Sequence, residues 1–225
     1  MNPTRFGLAT AFALLGPQLL VAQTPTTDGL IRHVAARHFV LVVKTDGSVV
    51  GWGNEEDGMA ARPRSTGIVA VPTVIALPGK VRQVAVGLLT AYALLEDGTV
   101  VAWGDNHDGQ LGNGAMGANI VLGIYPKSSV TPMRVTGLED IIQIEAGERY
   151  ALALRQHGTV WAWGLRDAGA IGDGKPTTLR PLSAIGPVQV PGLEGITRIA
   201  AGRTHNLALR RDGHVMSWGS NSEGE

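Results

Sequence analysis

The sequence predicts an all-β fold, a β-propeller of four-stranded blades, and three observations support this prediction. First, the chain has 225 residues with 31 glycines and 12 prolines, which follow no three-residue period and therefore indicate frequent turns between short strands. Second, one phrase recurs, as "GSVVGWGNEEDGM" from Gly47 and again as "GHVMSWGSNSEGE" from Gly213. Third, the strand within this phrase is apolar on both faces, so each sheet must be covered on both sides.

The recurring phrase is a Trp-Gly pair held at fixed distances from two other glycines. In every copy a turn glycine lies five residues before the tryptophan, and another glycine lies six residues after it. The intervals between copies vary, so the linking segments absorb the differences, which is typical of repeat architectures. The positions that define the repeat are Gly47, Trp52, Gly53, Gly98, Trp103, Gly104, Gly158, Trp163, Gly164, Gly213, Trp218 and Gly219. We interpret these positions as structural.

Each copy contains four stretches that are typical of β-strands. Two of them form a hairpin, as in "HNLALRRDGHVMSWG", where Asp212-Gly213 predicts a tight type I′ turn. Copy three has His157-Gly158 at this place. A third strand precedes the hairpin, as in "ITRIAAG", and a fourth lies earlier still, as "PTVIAL", "PMRV" or "PVQV". We therefore expect 15 strands, three in the first copy and four in each of the others.

The last strand of each hairpin predicts how neighbouring blades meet. Val100 and Ala102 lie on one face of this strand, and Val101 and Trp103 lie on the other. In a propeller each blade is covered by two neighbours, so neither face needs polar residues. We expect each large tryptophan to pack against small residues, for which the candidates are Gly51, Ala93, Ala102, Ala153, Ala162, Ala208 and Ser217.

The N-terminal segment predicts export to the periplasm or the extracellular space. Arg5 precedes the 17-residue apolar stretch "FGLATAFALLGPQLLVA", which Gly16-Pro17 interrupts and which is short for a membrane span of about 20 residues. We therefore predict a signal peptide at residues 1–22 and no stable membrane span; an anchor or a buried helix is the alternative. A spacer follows at 23–30, then repeats at about 31–80, 81–140, 141–195 and 196–225, with the last truncated.

Charge and cysteine content argue against several classes of function. Nineteen basic and 19 acidic residues cancel, and the longest basic run is the pair Arg210 and Arg211, so no nucleic-acid partner is expected. The absence of cysteine excludes disulfides, thiolate zinc sites and cysteine nucleophiles.

Sequence motifs for catalysis, nucleotide binding and metal binding are also missing, so we predict no catalytic residue, no cofactor and no metal. "GAIGDGKP", from Gly169 to Pro176, has the spacing of a phosphate-binding loop, but Pro176 stands where the loop needs Ser or Thr. The six histidines show no metal-ligand spacing, and His205 is interpreted as a packing or rim residue. Acidic and amide residues after the Trp-Gly pairs are interpreted as turn-forming rather than calcium-binding. They are Asn54, Glu55, Asp57, Asp105, Asn106, Asp108 and Asp167.

The segments "ITRIAAGRTHNLALRRDGHVMSWGSNSEGE" and "AYALLEDGTVVAWGDNHDGQLGNG" resemble repeats of the regulator of chromosome condensation family. The resemblance covers about residues 31–225 and implies a seven-bladed propeller of four-stranded blades. Four copies would then form an incomplete arc of that ring, whose open edge favours self-association. A closed four-bladed ring and a ring shared between two chains are the alternatives.

The predicted function is that of a non-catalytic, exported scaffold that binds a protein partner, whose identity the sequence does not give. The family resemblance implies a second function, guanine-nucleotide exchange on a small GTPase, although the leader and the neutral charge argue against it. A third is inhibition of a secreted enzyme, because a secreted β-lactamase inhibitor protein is similar in its propeller. An enzymatic propeller is disfavoured because the four copies share no acidic or histidine position at the axis.

Overall fold

The computed structural model describes residues 30–55, 58–61, 68–114, 128–175, 183–222 and 224. The predicted signal peptide at 1–22, the spacer up to residue 29, Asp57 and Pro176 lie outside these residues. A short 3-10 turn at Asp167–Gly169 accompanies the strands. The strands of the described part are β1 Ile31–Ala36, β2 Phe39–Lys44, β3 Val49–Asn54, β4 Ile68–Ile75, β5 Val81–Val86, β6 Thr90–Leu95, β7 Val100–Asp105, β8 Ser128–Arg134, β9 Ile141–Ala146, β10 Tyr150–Arg155, β11 Val160–Leu165, β12 Ser183–Gln189, β13 Ile196–Ala201, β14 His205–Arg210 and β15 Val215–Gly219.

These strands form four antiparallel sheets, which confirms the predicted propeller blades. Blade 1 is β1 to β4, blade 2 is β5 to β8, blade 3 is β9 to β12, and blade 4 is β13 to β15. The prediction that the first copy lacks a strand is wrong, because the fourth strand pairs with the hairpin before it: Val49 of β3 lies opposite Ile75 of β4. The inner edge of β3 is already occupied by β2, so its outer edge takes the next strand. Within the described chain, blade 4 is the three-stranded one.

The hairpin turns are not of the predicted type I′. In blade 1 the N–H of Gly47 donates to the carbonyl of Lys44 at 3.0 Å, and the N–H of Lys44 donates to the carbonyl of Ser48 at 2.9 Å. Only the glycine has a positive φ, of 84°. This is a type I turn followed by a left-handed glycine, the three-residue hairpin loop. Asp46 accepts a hydrogen bond from Ser48, which lowers the pKa of its exposed carboxyl.

The first strands of successive blades contact each other and form the inner wall of the arc. Glutamine side chains bind these strands together. The amide nitrogen of Gln83 donates to the carbonyl of Ile144 at 2.8 Å, and its oxygen accepts from the Ile144 N–H at 3.0 Å. Gln143 makes the same two bonds to Ile199, at 2.7 and 3.0 Å. Each pair satisfies a backbone donor and a backbone acceptor that would otherwise be unpaired.

The hydrophobic core is divided into three layers, one between each pair of neighbouring blades. In blade 2, Ala91 and Ala93 belong to the layer shared with blade 1, whereas Tyr92 and Leu94 belong to the layer shared with blade 3. All four side chains are buried. Both faces of the sheet are therefore shielded from water, as the sequence predicts. Each fully buried leucine side chain contributes about 1.5–3 kcal/mol to stability.

The repeated tryptophan joins each blade to the one before it. The indole Nε1 of Trp103 donates to the carbonyl of Met59 at 2.8 Å, and that of Trp163 donates to the carbonyl of Gln110 at 2.8 Å. Trp218 donates in the same way to Ala170 at 3.1 Å. Each acceptor lies seven residues after the tryptophan of the preceding blade. The indole thus anchors the loop that follows the neighbouring Trp-Gly pair.

The small residues expected beside the tryptophans are buried, with one exception. Gly51, Ala93, Ala102, Ala153, Ala162 and Ala208 all lie in the interior. Ser217 is exposed, so the expectation is wrong at this position. The reason is that Ser217 lies on the face of blade 4 that no described blade covers.

The glycine of the Trp-Gly pair provides a test of this packing. Gly104 has φ of 103°, and a Cβ atom there would lie 2.3 Å from the carbonyl oxygen of Leu89. Gly104→Ala is expected to lower the free energy of unfolding by about 2–4 kcal/mol, because both strain and steric conflict result. Gly186→Ala is the control, because a Cβ there meets no atom within 4 Å. Urea denaturation measures both; equal losses in the two variants would contradict the assignment.

Candidate functional site

The candidate site is the end of the arc at which the first strand of each blade turns into the second. The segment after each Trp-Gly pair lies at the same end, because the N–H of Asp105 donates to the carbonyl of Leu89 at 2.7 Å. We call this end the loop face. The Trp-Gly glycine packs against the turn, and the tryptophan of the next blade anchors the following segment. The framework below the loop face is therefore the same in successive blades.

The residues exposed on this framework differ from blade to blade. Blade 1 presents Arg37 and His38 in its turn between the first two strands, while the other turns carry Leu88-Leu89, Glu148-Arg149 and Arg203-Thr204. These side chains are exposed or partly exposed. Within one backbone geometry, the loop face thus presents aliphatic, acidic and basic groups in turn.

Among the described residues of the loop face, Arg149 and Arg203 form ion pairs that cross between blades. Arg149 of blade 3 contacts Asp108 of blade 2 at 3.0 Å between Nε and Oδ2. Arg203 of blade 4 pairs with Glu148 of blade 3. Partial burial raises the pKa of Asp108, and this outweighs the opposite effect of the Arg149 charge. Ion pairs at the surface contribute little to stability, so these side chains remain available to contact a partner.

A groove of about 370 Å³ opens on the loop face between blades 3 and 4. Here Ala168 and Thr204 occupy the repeat positions that Asp108 and Arg149 fill between blades 2 and 3. Because these two side chains are smaller than those of Asp108 and Arg149, the groove between blades 3 and 4 stays open. The groove is lined by Glu148, Arg149, Tyr150, Leu165, Asp167, Ala170, Arg203, Thr204, His205 and Ser222.

The groove combines charges of both signs with a buried polar floor. Tyr150 donates its hydroxyl to Oδ1 of Asn206 at 2.7 Å, and burial raises the pKa of this tyrosine. The amide nitrogen of Asn206 donates in turn to the carbonyl of Ala170 at 2.8 Å. Tyr150 therefore stays protonated at neutral pH, and its hydroxyl acts as a hydrogen-bond donor to Asn206 rather than as a base.

Three of the acidic and amide residues after the Trp-Gly pairs accept backbone hydrogen bonds in the loops, whereas Asp108 forms the ion pair with Arg149. In blade 2, Asp105 accepts from the N–H of His107 at 3.1 Å and from the amide of Gln110 at 2.9 Å. Asn106 accepts from the N–H of Leu111 at 3.0 Å. Asp167 likewise accepts from a backbone N–H, while in blade 1 Asn54 is the last residue of β3 and Glu55 follows it directly. Among the described residues, no group of three or more His, Asp or Glu side chains could hold a metal ion.

The repeat positions identified from the sequence lie in the framework below this surface. Trp103 and Trp163 are fully buried, while Trp52 and Trp218, in the two outermost blades, are partly buried. Gly53, Gly104, Gly164 and Gly219 support the turns at the loop face, and Gly47, Gly98, Gly158 and Gly213 form the hairpin turns at the opposite end. None of the twelve lines the groove.

Sequence reasoning did not identify the groove, although it interpreted His205 as a packing or rim residue and Asp167 as a turn-forming residue. The sequence nevertheless contains a pattern that indicates this surface. The turn between the first and second strands has nearly constant length but changing composition, which is the pattern of a recognition loop on a fixed scaffold.

Across the part of the chain that the structure describes, no helix is long and apolar enough to span a membrane.

Comparison with known proteins identifies the repeats. A model described as "Regulator of chromosome condensation (RCC1) repeat" matches residues 81–110, 141–169 and 196–225, and a second model of the same description matches 97–154 and 157–209. The human E3 ubiquitin-protein ligase HERC2 is 35% identical over 187 residues, which cover 80% of this chain and 4% of that protein.

Two solved structures of yeast Prp20 are similar to the whole arc. The crystal structure of Kap60 bound to yeast RCC1 (Prp20) aligns with a TM-score of 0.73 and 25% identity, over 88% of this chain and 46% of that chain. The structure of Prp20p from Saccharomyces cerevisiae aligns with a TM-score of 0.71 and 26% identity, over 87% of this chain and 47% of that chain. The chain thus spans about half the length of these solved relatives. With its matching repeats and its blade geometry, this chain belongs to the regulator of chromosome condensation (RCC1) repeat family.

Proposed function

We propose that this chain is a non-catalytic scaffold that binds a protein partner through its loop face. One observation carries the proposal: successive blades hold the same backbone framework, while the side chains exposed on it change from Leu88-Leu89 to Glu148-Arg149 and Arg203-Thr204. Variation confined to exposed turns on a rigid framework is the arrangement of a recognition surface.

The shape and polarity of the loop face favour a macromolecular partner over a small ligand. Small-molecule sites are enclosed and mostly apolar, with a few polar groups that fix orientation. The groove between blades 3 and 4 instead carries Arg149, Arg203, Glu148 and Asp167 at its rim. Charges of both signs on an open surface provide complementarity and steering toward a charged protein surface.

We also propose that the protein is exported to the periplasm or the extracellular space. The support is the sequence of residues 1–22, in which a basic residue precedes an apolar stretch that is short for a membrane span. The partner would then be an exported or surface protein.

Guanine-nucleotide exchange on a small GTPase is the second candidate function. Yeast Prp20p, to which this chain is similar, was studied for its binding properties to Gsp1p and histones. This observation favours a GTPase as one protein to test for binding and for nucleotide release. Arg149 and Arg203, which line the groove, would contact acidic groups on the surface of the GTPase.

Reversing the charges of Arg149 and Arg203 on the loop face is expected to weaken binding. The full chain and the double variant Arg149→Glu, Arg203→Glu are compared by titration against a purified partner obtained from the exported protein fraction, or against a small GTPase. We expect the dissociation constant to rise about tenfold or more, because arginine is enriched among the residues that carry binding energy and the new carboxylates would repel acidic groups of the partner.

The matched control is Lys80→Glu with Arg211→Glu, which makes the same change of charge at the opposite end of the arc. Both control residues are exposed. The control is expected to bind like the unmodified chain, and circular dichroism verifies that both double variants are folded. Equal weakening in the two variants would show that net charge, not the loop face, determines binding.

The export proposal is tested with a reporter fused behind residues 1–30. We expect the reporter in the periplasm or the medium, and Leu14→Arg with Leu15→Arg should retain it in the cytoplasm because the apolar stretch is interrupted. Cell fractionation measures the distribution. A reporter that stays cytoplasmic without the substitutions would contradict export and favour the exchange-factor function.

A further inference from the structure

The joint between the first strands of blades 1 and 2 differs from the joints between blades 2 and 3 and between blades 3 and 4. Gln83 and Gln143 each bind the next blade by two hydrogen bonds, because the side-chain oxygen accepts from a backbone N–H and the side-chain nitrogen donates to the carbonyl of the same residue. Blade 1 has His33 at this repeat position, and its partner in blade 2 is Val84.

His33 makes one of these two hydrogen bonds. The N–H of Val84 donates to Nδ1 of His33 at 3.5 Å, compared with 3.0 Å for the corresponding bonds to Gln83 and Gln143. A ring nitrogen that accepts a hydrogen bond carries no proton, so the imidazole is neutral and its proton is on Nε2. The bond between the first strands of blades 1 and 2 therefore depends on the protonation state of a histidine.

The turns at the loop face show a second difference at the same joint. The N–H of Leu88 donates to the carbonyl of Glu148 at 2.8 Å, and the N–H of Glu148 donates to the carbonyl of Arg203 at 3.0 Å. In blade 1 the N–H of Arg37 donates instead to the carbonyl of Phe39 in its own hairpin, at 3.0 Å. The turn between β1 and β2 has two residues, whereas the corresponding turns of the other blades have three. The joint that contains the histidine is thus also the one with the shortened turn.

The charged groups around this joint lie on all the elements that pack against β1. They are Arg32 on β1 itself, Lys44 at the end of β2, Arg82 on β5 and Glu96 directly after β6. Arg32 and Glu96 form an ion pair at 2.8 Å. Burial alone lowers the pKa of His33, and no charged neighbour contributes to this shift. The imidazole therefore has no carboxylate beside it that would stabilise its protonated form.

We propose that His33 makes the joint between blades 1 and 2 a pH-sensitive element, which loosens when the imidazole takes up a proton. A protonated Nδ1 would meet the N–H of Val84 with a second donor, so the hydrogen bond would be lost. β1 leads directly into the turn of Arg37 and His38 on the loop face, so the change would reach the exposed end of blade 1. This element lies between two blades of the described chain and is independent of the proposed binding function.

The direction of the pH effect follows from the burial of His33. Burial lowers the pKa of this imidazole below its ordinary value of 6.5. As the pH falls, the unfolded chain therefore takes up a proton on His33 before the folded chain does. The contribution of His33 to stability is complete above about pH 6.5 and is lost as the pH falls below this value.

The experiment is urea denaturation of the full chain, His33→Gln and His157→Gln at about pH 8 and about pH 5, followed by circular dichroism. His33→Gln restores the residue that the other joints use and removes the group that titrates. His157→Gln is the matched control, because His157 is exposed in a hairpin turn away from the joints. A second measurement needs no variant: NMR of the imidazole nitrogens of the unmodified chain at about pH 8 identifies which one carries the proton.

We expect the urea midpoint of His33→Gln to rise relative to the midpoints of the unmodified chain and of His157→Gln as the pH is lowered. The carboxylates and the remaining histidines of the joints are common to all three chains, so their titration cancels in this comparison. The NMR spectrum is expected to show the proton of His33 on Nε2. A His33→Gln variant whose midpoint changes with pH as the control does would overturn the proposal. A proton on Nδ1 of His33 at about pH 8 would also overturn it, because that nitrogen could not then accept from Val84.

Discussion

Each sheet of this protein is apolar on both faces, and this single constraint determines the rest of the structure. A sheet with two dry faces is stable only between two other sheets, so the blades must stack. Tyr92 and Leu94 on one side of blade 2, and Ala91 and Ala93 on the other, show how one strand serves two separate cores. The arc follows because every blade repeats the same pair of faces.

Hydrogen bonds between blades fix the alignment that hydrophobic packing alone would leave loose. The indole of Trp163 and the hydroxyl of Tyr92 both donate to the carbonyl of Gln110, and the two rings meet edge to face with centroids 5.9 Å apart. Gln83 performs the same role on the inner wall. These contacts hold the loop face rigid, which allows its exposed residues to vary without changing the backbone.

The sequence was sufficient to predict the architecture because the constraint appears as a pattern. Fixed spacing around Trp103 and Trp163, together with strands that are apolar on both faces, indicates blades. It did not assign the fourth strand to the correct blade, since "PTVIAL" lies between two sheets in sequence and only edge availability decides its partner.

The turn type was also missed, because Asp-Gly suits both a type I′ turn and a type I turn with a left-handed glycine. The groove exists because Ala168 stands at the repeat position where blade 2 has the carboxylate of Asp108. A search for motifs does not detect a side chain that is missing.

The stability of this protein resides between its blades rather than within them. The most direct test is to prepare blade 3 alone, residues 141–195, and to follow its unfolding in urea beside that of the full chain by circular dichroism. We expect the isolated blade to show no cooperative transition, because both of its apolar faces are exposed to water. A cooperative transition in the isolated blade, with a free energy of unfolding similar to that of the full chain, would contradict it.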